Sequence, residues 1–570
     1  MANAAAFTCP TSDQTLSVAS ANAGAGSEAV RRVSGLHVNR GPANTATGLL
    51  AVTYSAATVA GSRATAATAR EQASGATLVH QLTFARTGLV THILSVPVAQ
   101  MTTIAASLRS QSGVESVAPT GLRRYSTAVT SGYFPNDPYF DGFTQQENIN
   151  AGNPAPSTQV GPYYESSLVP GQWDMHAIKL EDAFAYSQSP NGSGIVKSGA
   201  LGSSSVKIAI IDTGEDPNHP DLGSKIEYQK CFITNEAGTA QSTSSFETDP
   251  TGHGTDVAGI AAAATNNNFG FTGTGGNVMI YAYRVFPTPD DNCASDGSND
   301  PQCSSSTVDI ADAIDDAVTQ GVNVISMSLG GDNCTSPGVD SDPTEGQAVA
   351  EAIKNNIVVV AASGNSGGSV VGAPACDSGV IAVGATSISD GTANDSNNTS
   401  GTAAAPVEYV TSYTQYGTTN TLDSPSSWGI VAPGGDPQGN SDNDDLHWIE
   451  NIWTTTPYQS SPADTKFAGE CTDDYPNSNG KTAPVDCRTL IAGTSMATPH
   501  VAGAAALILS ATGGSGSPYQ SPTAMKNLLC TYADDLPGSG TTSEQGCGRL
   551  NVYTAMAHAV GDPSPPTPVP

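Results

Sequence analysis

Short apolar runs alternate with stretches of helical periodicity between residues 206 and 383. The runs are rich in Val, Ile and Ala and lie at 206–211, 278–285, 322–327, 358–362 and 380–383. Strands this uniformly apolar are typical of a parallel sheet whose two faces are covered by helices. The helices are expected at 254–264, 308–320, 348–355 and 495–510. We therefore predict an α/β fold with three layers and a parallel central sheet. The polar, Asx-rich stretches 388–426 and 435–487 are expected to be surface loops.

Residues 36–125 follow a different pattern, which predicts a separate unit. Strands are expected at 48–54, 78–84, 89–96 and 114–118, and helices at 56–73 and 98–110. This β-α-β-β-α-β order is that of a ferredoxin-like α+β domain. Nine arginines lie between residues 31 and 124 of a chain whose formal net charge is −31. A relatively basic unit is expected to dock electrostatically on the acidic remainder.

The length of 570 residues predicts two or more folding units. Acidic residues outnumber basic ones 52 to 21, so nucleic acid, whose phosphates require basic partners, is not an expected ligand. Carboxylates in this number could instead hold hard cations such as Ca²⁺. No apolar run reaches the roughly 18–20 residues of a membrane span, so we expect no membrane association, and we expect a monomer.

Eight of the ten cysteines fall into pairs that are close in sequence. These pairs are Cys293 with Cys303, Cys334 with Cys376, Cys471 with Cys487, and Cys530 with Cys547. Such spacing suits disulfides that close local loops in an oxidising compartment, although sequence leaves the connectivity open. Cys9 and Cys231 are left over. We therefore expect secretion, with an export signal replaced here by Met1.

Three polar residues stand where chemistry is often found. Asp212 ends an apolar strand, where open α/β sheets place functional groups. His253 lies between two glycines at the start of a predicted helix, and Ser495 lies at the start of another, where free N–H groups favour developing negative charge. Taken singly, each has an ordinary structural explanation: a cap, a packed histidine, or a serine N-cap. Together, and in this order along the chain, Asp212, His253 and Ser495 can supply the orienting carboxylate, the base and the nucleophile of a hydrolase.

All three segments resemble the motifs of the subtilase family. The segments are Ile-Ile-Asp212-Thr-Gly, His253-Gly-Thr-Asp-Val-Ala-Gly and Gly-Thr-Ser495-Met-Ala-Thr-Pro-His-Val-Ala-Gly, and the resemblance covers about residues 134–557. It implies a subtilisin-like fold and a secreted serine endopeptidase acting on proteins or peptides. Ser495 would attack the peptide carbonyl, His253 would carry the proton, and Asp212 would orient the imidazole. Asn365, in Ser-Gly-Asn365-Ser-Gly, would donate to the oxyanion.

The same resemblance assigns a substrate wall and a specificity pocket. The residues concerned are small or uncharged: Ser328, Leu329, Gly330, Ala361, Ala362, Ser363 and Gly364. The backbone of the first three would pair with an extended peptide as an added strand, which provides affinity with little side-chain selectivity. A pocket without charge makes a strict dibasic preference unexpected.

A calcium site is also implied by the resemblance, since two segments match the halves of a family site. Its oxygen ligands would be the side chains of Asp221 and Asn267 and the carbonyls of Thr265, Phe269 and Phe271. Carboxylate, amide and carbonyl oxygens are the ligands that Ca²⁺ prefers. A glycine-rich turn is the alternative explanation for this segment.

The N-terminal unit resembles the inhibitor propeptide of the family in its order of elements. The expected domains are a leader at 1–35, a propeptide at 36–125, a connector with the mature N-terminus at 126–170, a catalytic domain at 171–560 and a Pro-rich linker at 561–570. The propeptide would be an intramolecular inhibitor, and autocleavage is expected between residues 122 and 133. The linker is expected to lead to a further module.

One residue departs from the family pattern, and two other functions compete. Glu215 stands where an apolar residue is usual, so it could change the His253 pKa, influence substrate charge preference, or be solvated. Residues 364–368 satisfy the G-x-S-x-G pattern of α/β-hydrolase esterases around Ser366, but no helix is predicted to follow. A non-enzymatic binding protein on this scaffold is the second alternative, which the complete triad disfavours.

Overall fold

A four-stranded sheet near the N-terminus and a nine-stranded sheet in the centre organise the described part of the chain. The computed structural model describes residues 47–55, 62–83, 89–97, 100–119, 122–125, 128–129, 143–144, 168–169, 172–187, 195–234, 240–242, 249–265, 267, 270–287, 304–331, 334–336, 339–340, 342–389, 407–417, 428–436, 448–455, 470–472, 486–536 and 543–563.

The N-terminal unit has the predicted order of elements. They are β1 (Thr47–Tyr54), α1 (Ser62–Ala73), β2 (Thr77–Thr83), β3 (Val90–Pro97), α2 (Met101–Arg109) and β4 (Val114–Pro119). The strands lie in the order β2-β3-β1-β4, and every neighbouring pair that has a register is antiparallel. Leu50, Val52, Leu94 and Leu108 are buried between this sheet and its helices.

The elements of the larger unit follow along the chain. Its strands, together with the short ones that precede them, are β5 (Leu122–Tyr125), β6 (Ala128–Val129), β7 (Phe143–Thr144), β8 (Leu168–Val169), β9 (Lys207–Asp212), β10 (Ile226–Thr234), β11 (Ala240–Ser242), β12 (Met279–Arg284), β13 (Ser304–Ser306), β14 (Val324–Met327), β15 (Leu329–Gly330), β16 (Cys334–Ser336), β17 (Val339–Asp340), β18 (Val358–Ala362), β19 (Ile381–Ser389), β20 (Val407–Val410), β21 (Gly429–Pro433), β22 (Ile449–Ile452), β23 (Glu470–Thr472) and β24 (Asp486–Ala492). Its helices are α3 (Trp173–Ala177), α4 (Leu180–Phe184), α5 (His253–Ala262), α6 (Thr307–Gln320), α7 (Pro343–Lys354), α8 (Thr494–Thr512), α9 (Pro522–Thr531) and α10 (Val552–Val560).

The central sheet is parallel except at its edges. Its order is β11-β10-β12-β9-β14-β18-β19-β20, and β21 pairs with β19 beside β20. The strands from β10 to β19, and β21, run parallel, whereas β11 and β20 are antiparallel edge strands. The predicted parallel sheet is therefore confirmed, with two antiparallel additions.

Helices cover both faces of this sheet. Along β9, Ile208 and Ile210 join the buried cluster that includes α5 and α8, whereas Ala209 and Ile211 join the cluster of α6 and α7. Successive side chains of a strand point to opposite faces, so each face requires its own apolar set. This two-sided burial explains why the strand sequences are apolar almost throughout.

Two segments expected to be surface loops contain strands. Residues 388–426 include β20, which pairs with β19, and residues 435–487 include β22 and β23, which pair with β24. The expectation of loops was wrong there because these segments, although mostly polar in sequence, contain a few apolar residues that are buried, such as Trp448 and Ile452. The average composition of a long segment does not reveal short buried stretches of this kind.

Two of the expected disulfides are present among the described cysteines. Cys334 is bonded to Cys376, and Cys530 to Cys547. Cys231, expected to be left over, is disulfide-bonded as well. No described cysteine is free.

Candidate active site

Asp212 and His253 meet at the carboxyl edge of the central sheet. Asp212 is the last residue of β9, and His253 is the first residue of α5. The distance between His253 Nδ1 and Asp212 Oδ1 is 2.6 Å, and both side chains are buried. Asp212 Oδ1 also accepts a hydrogen bond from the backbone N–H of Thr213 at 2.7 Å. A carboxylate held in this way leaves the other ring nitrogen of His253 as the basic one.

The glycines on both sides of His253 are required by close packing. A Cβ at Gly252 would lie 2.1 Å from Trp453 Cε2, and Gly252 has φ of +89°. A Cβ at Gly254 would lie 2.1 Å from the carbonyl oxygen of Gly214. The Asp212 loop and the start of α5 therefore touch backbone to backbone, which brings the carboxylate to the imidazole.

A buried carboxylate that sequence analysis missed ties these two segments together. Asp249 Oδ1 accepts hydrogen bonds from Thr213 Oγ1 at 2.9 Å and from the N–H and Oγ1 of Thr251 at 3.1 Å. Asp249 Oδ2 accepts from the N–H and Oγ1 of Thr255, both at 2.9 Å. Thr213 Oγ1 in turn accepts from the N–H of Gly254 at 2.8 Å. Thr251 and Thr255 lie on either side of His253 in the sequence. This pair of threonines is the sequence feature from which a buried acceptor such as Asp249 could have been predicted.

Ser495 lies in the first turn of α8 and exchanges hydrogen bonds with Ser328. Ser495 Oγ donates to the carbonyl oxygen of Ser328 at 3.1 Å, and Ser328 Oγ donates to the carbonyl oxygen of Ser495 at 2.7 Å. The helix begins at Thr494, so the backbone N–H of Ser495 belongs to the N-terminal turn, where N–H groups lack partners inside the helix. Negative charge is stabilised at this end of the helix dipole.

The amide of Asn365 is oriented by Thr494. Asn365 Oδ1 accepts from the backbone N–H of Thr494 at 2.9 Å and from Thr494 Oγ1 at 2.7 Å. A backbone N–H can only donate, so the oxygen of the amide must face Thr494 and its NH₂ group must face away. The residue next to Ser495 in sequence thereby holds Asn365 as a donor.

The residues predicted to bind substrate lie at or just beyond the ends of two neighbouring strands, β14 and β18. Ser328 follows β14, Leu329 and Gly330 form β15, and Ala361 and Ala362 end β18. Ser363 is buried, and the N–H of Gly364 lies 3.4 Å from Thr494 Oγ1. The structure thus brings the predicted wall and pocket residues to one edge of the sheet.

A second wall was not predicted from sequence. Strand β13 (Ser304–Ser306) pairs with β5 on one side, and β15 pairs with β5 on the other, so β5 is the middle strand of a three-stranded antiparallel sheet. The groove between β13 and β15 is therefore one strand wide. Three consecutive serines carry no apolar alternation, which is why sequence indicated no strand there.

Comparison with known proteins identifies the family of the chain. The model of the subtilase family matches residues 203–548, which is more than half of the chain. The chain belongs to the subtilase family. The subtilase is 30% identical over 426 residues to thermitase from Thermoactinomyces vulgaris, a match that covers 75% of this chain and 100% of thermitase. It is 31% identical over 354 residues to subtilisin DY from Bacillus licheniformis, covering 61% of this chain and 90% of that protein.

A solved structure shows the same fold. Fervidolysin from Fervidobacterium pennivorans, described as a keratinolytic enzyme related to subtilisin, aligns with a TM-score of 0.56 at 20% identity. The alignment covers 91% of this chain and 62% of fervidolysin. The predicted family, subtilisin-like fold and enzyme class are confirmed: the subtilase is a serine endopeptidase. Among the described residues, no helix has the length and hydropathy required to cross a membrane.

Two further carboxyl groups of the subtilase are buried beside Asp212. Glu215 is completely buried. The explanation that its side chain is solvated is therefore wrong, and a buried side chain is not in a position to contact substrate. Burial raises the pKa of Glu215 well above its ordinary value, and the charges of Asp249 and Asp212 raise it further. Burial likewise raises the pKa of Asp256, with the charge of Asp174 next in importance. Both groups are therefore protonated over a wider pH range than an exposed acid.

The predicted calcium segment of the subtilase is wound closely around Asp221. This carboxylate is buried and accepts from Asn267 Nδ2 at 2.7 Å and from the N–H of Phe271 at 2.8 Å. A Cβ at Gly270 would lie 1.5 Å from Asp221 Oδ2. Phe269 lies outside the described residues, and no group of three or more His, Cys, Asp or Glu among those described could hold a metal. The predicted ligands, which are the Asp221 carboxylate, the Asn267 amide and three backbone carbonyls, are oxygen donors of the kind that Ca²⁺ prefers.

Ser366 does not occupy the position of an esterase nucleophile. It is exposed, and no helix follows it before the strand that begins at Ile381. Its backbone N–H donates to Gln415 Oε1 at 3.3 Å. The G-x-S-x-G segment is thus a turn, which agrees with the membership of the chain in a peptidase family.

Proposed function

We propose that this subtilase is a secreted endopeptidase that cleaves proteins by an Asp212–His253–Ser495 triad and is made as a self-processing zymogen. The observation that carries the proposal is the 2.6 Å contact between Asp212 and His253 at the sheet edge that also holds Ser495. The three residues stand in segments that resemble the family motifs, and all three lie within the range that the family model matches. The alternative of a non-enzymatic scaffold is disfavoured because each member of the triad is kept and held by neighbours.

Asp212 fixes which nitrogen of His253 can act as the base. Its carboxylate accepts the Nδ1 proton, so Nε2 carries the lone pair that removes the proton of Ser495. The same carboxylate stabilises the imidazolium formed when the serine attacks. His253 then passes the proton to the departing amine, and water releases the acyl group by the reverse sequence.

The oxyanion is stabilised by two donors on different segments. The backbone N–H of Ser495 lies in the first turn of α8, and the NH₂ group of Asn365 faces away from Thr494. Donors that are already fixed do not have to reorganise when charge develops, which is why such groups typically contribute about 3 kcal/mol. Thr494 acts on this step through Asn365 and is a positioning residue.

Substrate binds, in this proposal, as a strand between β13 and β15. The groove is one strand wide and is occupied by a segment of the same chain, which pairs antiparallel with both walls. Backbone hydrogen bonds of this kind accept many side-chain sequences. Leu329 and Gly330 supply one wall, and Ala361, Ala362, Ser363 and Gly364 line the pocket beside the serine.

The N-terminal unit is, in this proposal, the propeptide. Its βαββαβ topology is compact enough to fold with its own buried core. Ala51, Leu82 and Ile93 also belong to the buried cluster that contains Ile310 and other residues of the larger unit, so the two share an apolar contact. Three features support secretion and inhibition: the disulfides, the basic character of this unit and the strand β5 that leads from it into the groove.

Calcium is proposed at the loop around Asp221. The side chains of Asp221 and Asn267 and the carbonyls of Thr265, Phe269 and Phe271 would hold the ion, which would stabilise the loop and take no part in the chemistry. Calcium should raise the melting temperature of the wild type, and chelation should lower it. An Asp221→Asn variant that keeps the full calcium response would contradict this assignment.

A fluorophosphonate probe tests the catalytic proposal. Intact-mass spectrometry should show one probe per chain on Ser495, and Ser495→Ala should remain unlabelled while keeping the wild-type circular dichroism. Ser366→Ala is the matched control, since this second serine in a small-residue loop should be labelled and active like the wild type. Labelling that survives Ser495→Ala would overturn the mechanism.

A further inference from the structure

Asn365 stands on a glycine-rich loop that is neither helix nor strand. The loop follows β18 and comprises residues 364–371, with the sequence Gly-Asn-Ser-Gly-Gly-Ser-Val-Val. Two of its glycines have positive φ, +112° at Gly364 and +66° at Gly367. Glycine loses more conformational freedom on folding than any other residue, so a loop of this composition adopts many conformations unless contacts hold it. The position of the Asn365 amide therefore depends on the contacts that fix the loop.

Gln415 bonds the residues on both sides of Asn365. Its backbone N–H donates to the carbonyl oxygen of Gly364 at 3.0 Å, and its side-chain Oε1 accepts from the backbone N–H of Ser366 at 3.3 Å. Its Nε2 donates to the carbonyl oxygen of Val370 at 2.8 Å, near the other end of the loop. Gln415 thus spans the loop with three hydrogen bonds.

The amide of Gln415 can make these contacts in one orientation only. A backbone N–H donates and a carbonyl oxygen accepts, so Oε1 must face Ser366 and Nε2 must face Val370. The side chain is buried and lies against the backbone of Gly364, where a Cβ would stand 2.0 Å from Gln415 Oε1. The glycine that precedes Asn365 is therefore what leaves room for this amide.

The segment that carries Gln415 is itself fixed to the central sheet. The hydroxyl oxygen of Thr414 accepts from the backbone N–H of Ala385 in β19 at 2.9 Å. The base of the glycine-rich loop is tied to the same strand, because the N–H of Ser363 donates to the carbonyl oxygen of Val383 at 2.9 Å. The loop and the segment that holds it therefore share one support.

We propose that Gln415 is a positioning residue of peptide hydrolysis, which holds the loop in the conformation that presents the NH₂ group of Asn365 to the oxyanion. The inference rests on the proposed role of Asn365 as an oxyanion donor. Thr494 sets the direction in which the amide of Asn365 faces, whereas Gln415 sets where its backbone lies. A misplacement of about 1 Å in a site of this kind can cost about 100-fold in rate.

The variant Gln415→Met tests this role. Methionine has a similar length but makes neither of the two side-chain hydrogen bonds, so the loop is held by backbone contacts alone. We expect kcat for a peptide ester to fall about tenfold while KM changes less than about twofold, with kcat measured per site that a fluorophosphonate titrates. A kcat per titrated site equal to that of the wild type would overturn the inference.

A double-mutant cycle with Asn365→Ala separates positioning from a general structural effect. If Gln415 acts through Asn365, Gln415→Met should lower kcat about tenfold in the wild type but less than about twofold in the Asn365→Ala background. A loss of about tenfold in both backgrounds would overturn the inference and leave the proposed function intact. If Asn365→Ala alone costs less than about tenfold, the proposed oxyanion donor fails, and the inference fails with it.

A buried amide in another part of the chain supplies the matched control. Gln172 Nε2 donates to the carbonyl oxygen of Thr272 at 3.0 Å, and Gln172 Oε1 accepts from the N–H of the same residue at 2.8 Å. Gln172→Met should lower the melting temperature as Gln415→Met does, but it should leave kcat per titrated site at the wild-type value. Equal losses of kcat in the two variants would contradict a positioning role. If Gln415→Met does not fold, Gln415→Glu enters the same cycle, since it keeps the shape but places an oxygen against the carbonyl of Val370.

Discussion

Replacing Asp249 with asparagine tests whether this buried carboxylate positions the triad. The change keeps the shape of the side chain and replaces one oxygen with an NH₂ group. If the NH₂ group takes the place of Oδ2, it faces the backbone N–H of Thr255; if it takes the place of Oδ1, it faces that of Thr251. The threonine hydroxyls can turn and accept, but a backbone N–H cannot. In either orientation one buried donor loses its acceptor, which costs about 1–3 kcal/mol.

The loss should affect catalysis as well as stability. Asp249 links Thr213, which follows Asp212, to Thr255 on the helix of His253. The free-energy cost of the unpaired N–H is relieved if these two segments move apart, which would misplace Asp212 relative to His253. If about 1.4 kcal/mol of this cost is added to the activation free energy, kcat falls about tenfold while KM changes little. Activity should be measured with a peptide ester and normalised to the number of sites that a fluorophosphonate titrates.

The control is a second buried carboxylate in the C-terminal segment. Asp534 accepts from Arg549 Nη2 at 2.8 Å and from Asn551 Nδ2 at 2.9 Å, so Asp534→Asn should also lower the melting temperature. It should leave kcat per titrated site unchanged. The reasoning is refuted if Asp249→Asn matches this control, with a lower melting temperature and a normal kcat.

Three further outcomes follow from contacts in and around the site. Asn365→Ala should lower kcat about 100- to 1000-fold with a smaller change in KM, as active-site-titrated kinetics would show; a loss of less than tenfold would exclude it as an oxyanion donor. Because the folded-state pKa of Glu215 is raised, the native state holds more protons than the unfolded state above about pH 4.5. Wild-type stability should therefore fall relative to Glu215→Gln as pH rises, and a difference in melting temperature that stays constant from acid to neutral pH would contradict this. Replacing Cys334 and Cys376 with serine opens a bond between residues 42 apart and should cost about 3–4 kcal/mol in urea unfolding, measured with Ser495→Ala to prevent self-digestion; a cost below 1 kcal/mol would refute the chain-entropy argument.

Local patterns were sufficient for much of the site. Asp212 ends an apolar strand, His253 begins a helix of small residues, and Ser495 lies in the first turn of another, as the structure shows. The strands could be predicted from sequence because each strand of a sheet covered on both faces must be apolar at successive positions. The order of elements in the N-terminal unit could be predicted for a related reason, since each strand and helix there has its own period of apolar residues.

Other features depended on contacts between distant residues. Asp249 lies 36 residues from Thr213, and its sequence neighbourhood is that of an ordinary polar loop. Ser304–Ser306 forms a wall of the groove only because β5 lies beside it. The strands β20, β22 and β23 were missed because their pairing partners, rather than their own composition, make them strands.

The sequence by itself determined the family, the order of the proposed triad residues and the parallel sheet, because these depend on short motifs and on the period of apolar residues. The tertiary structure alone decided that Glu215 is buried, that Asp249 joins the segments of Asp212 and His253, and that β5 lies between β13 and β15. Burial and register are properties of pairs of segments, so no single segment encodes them.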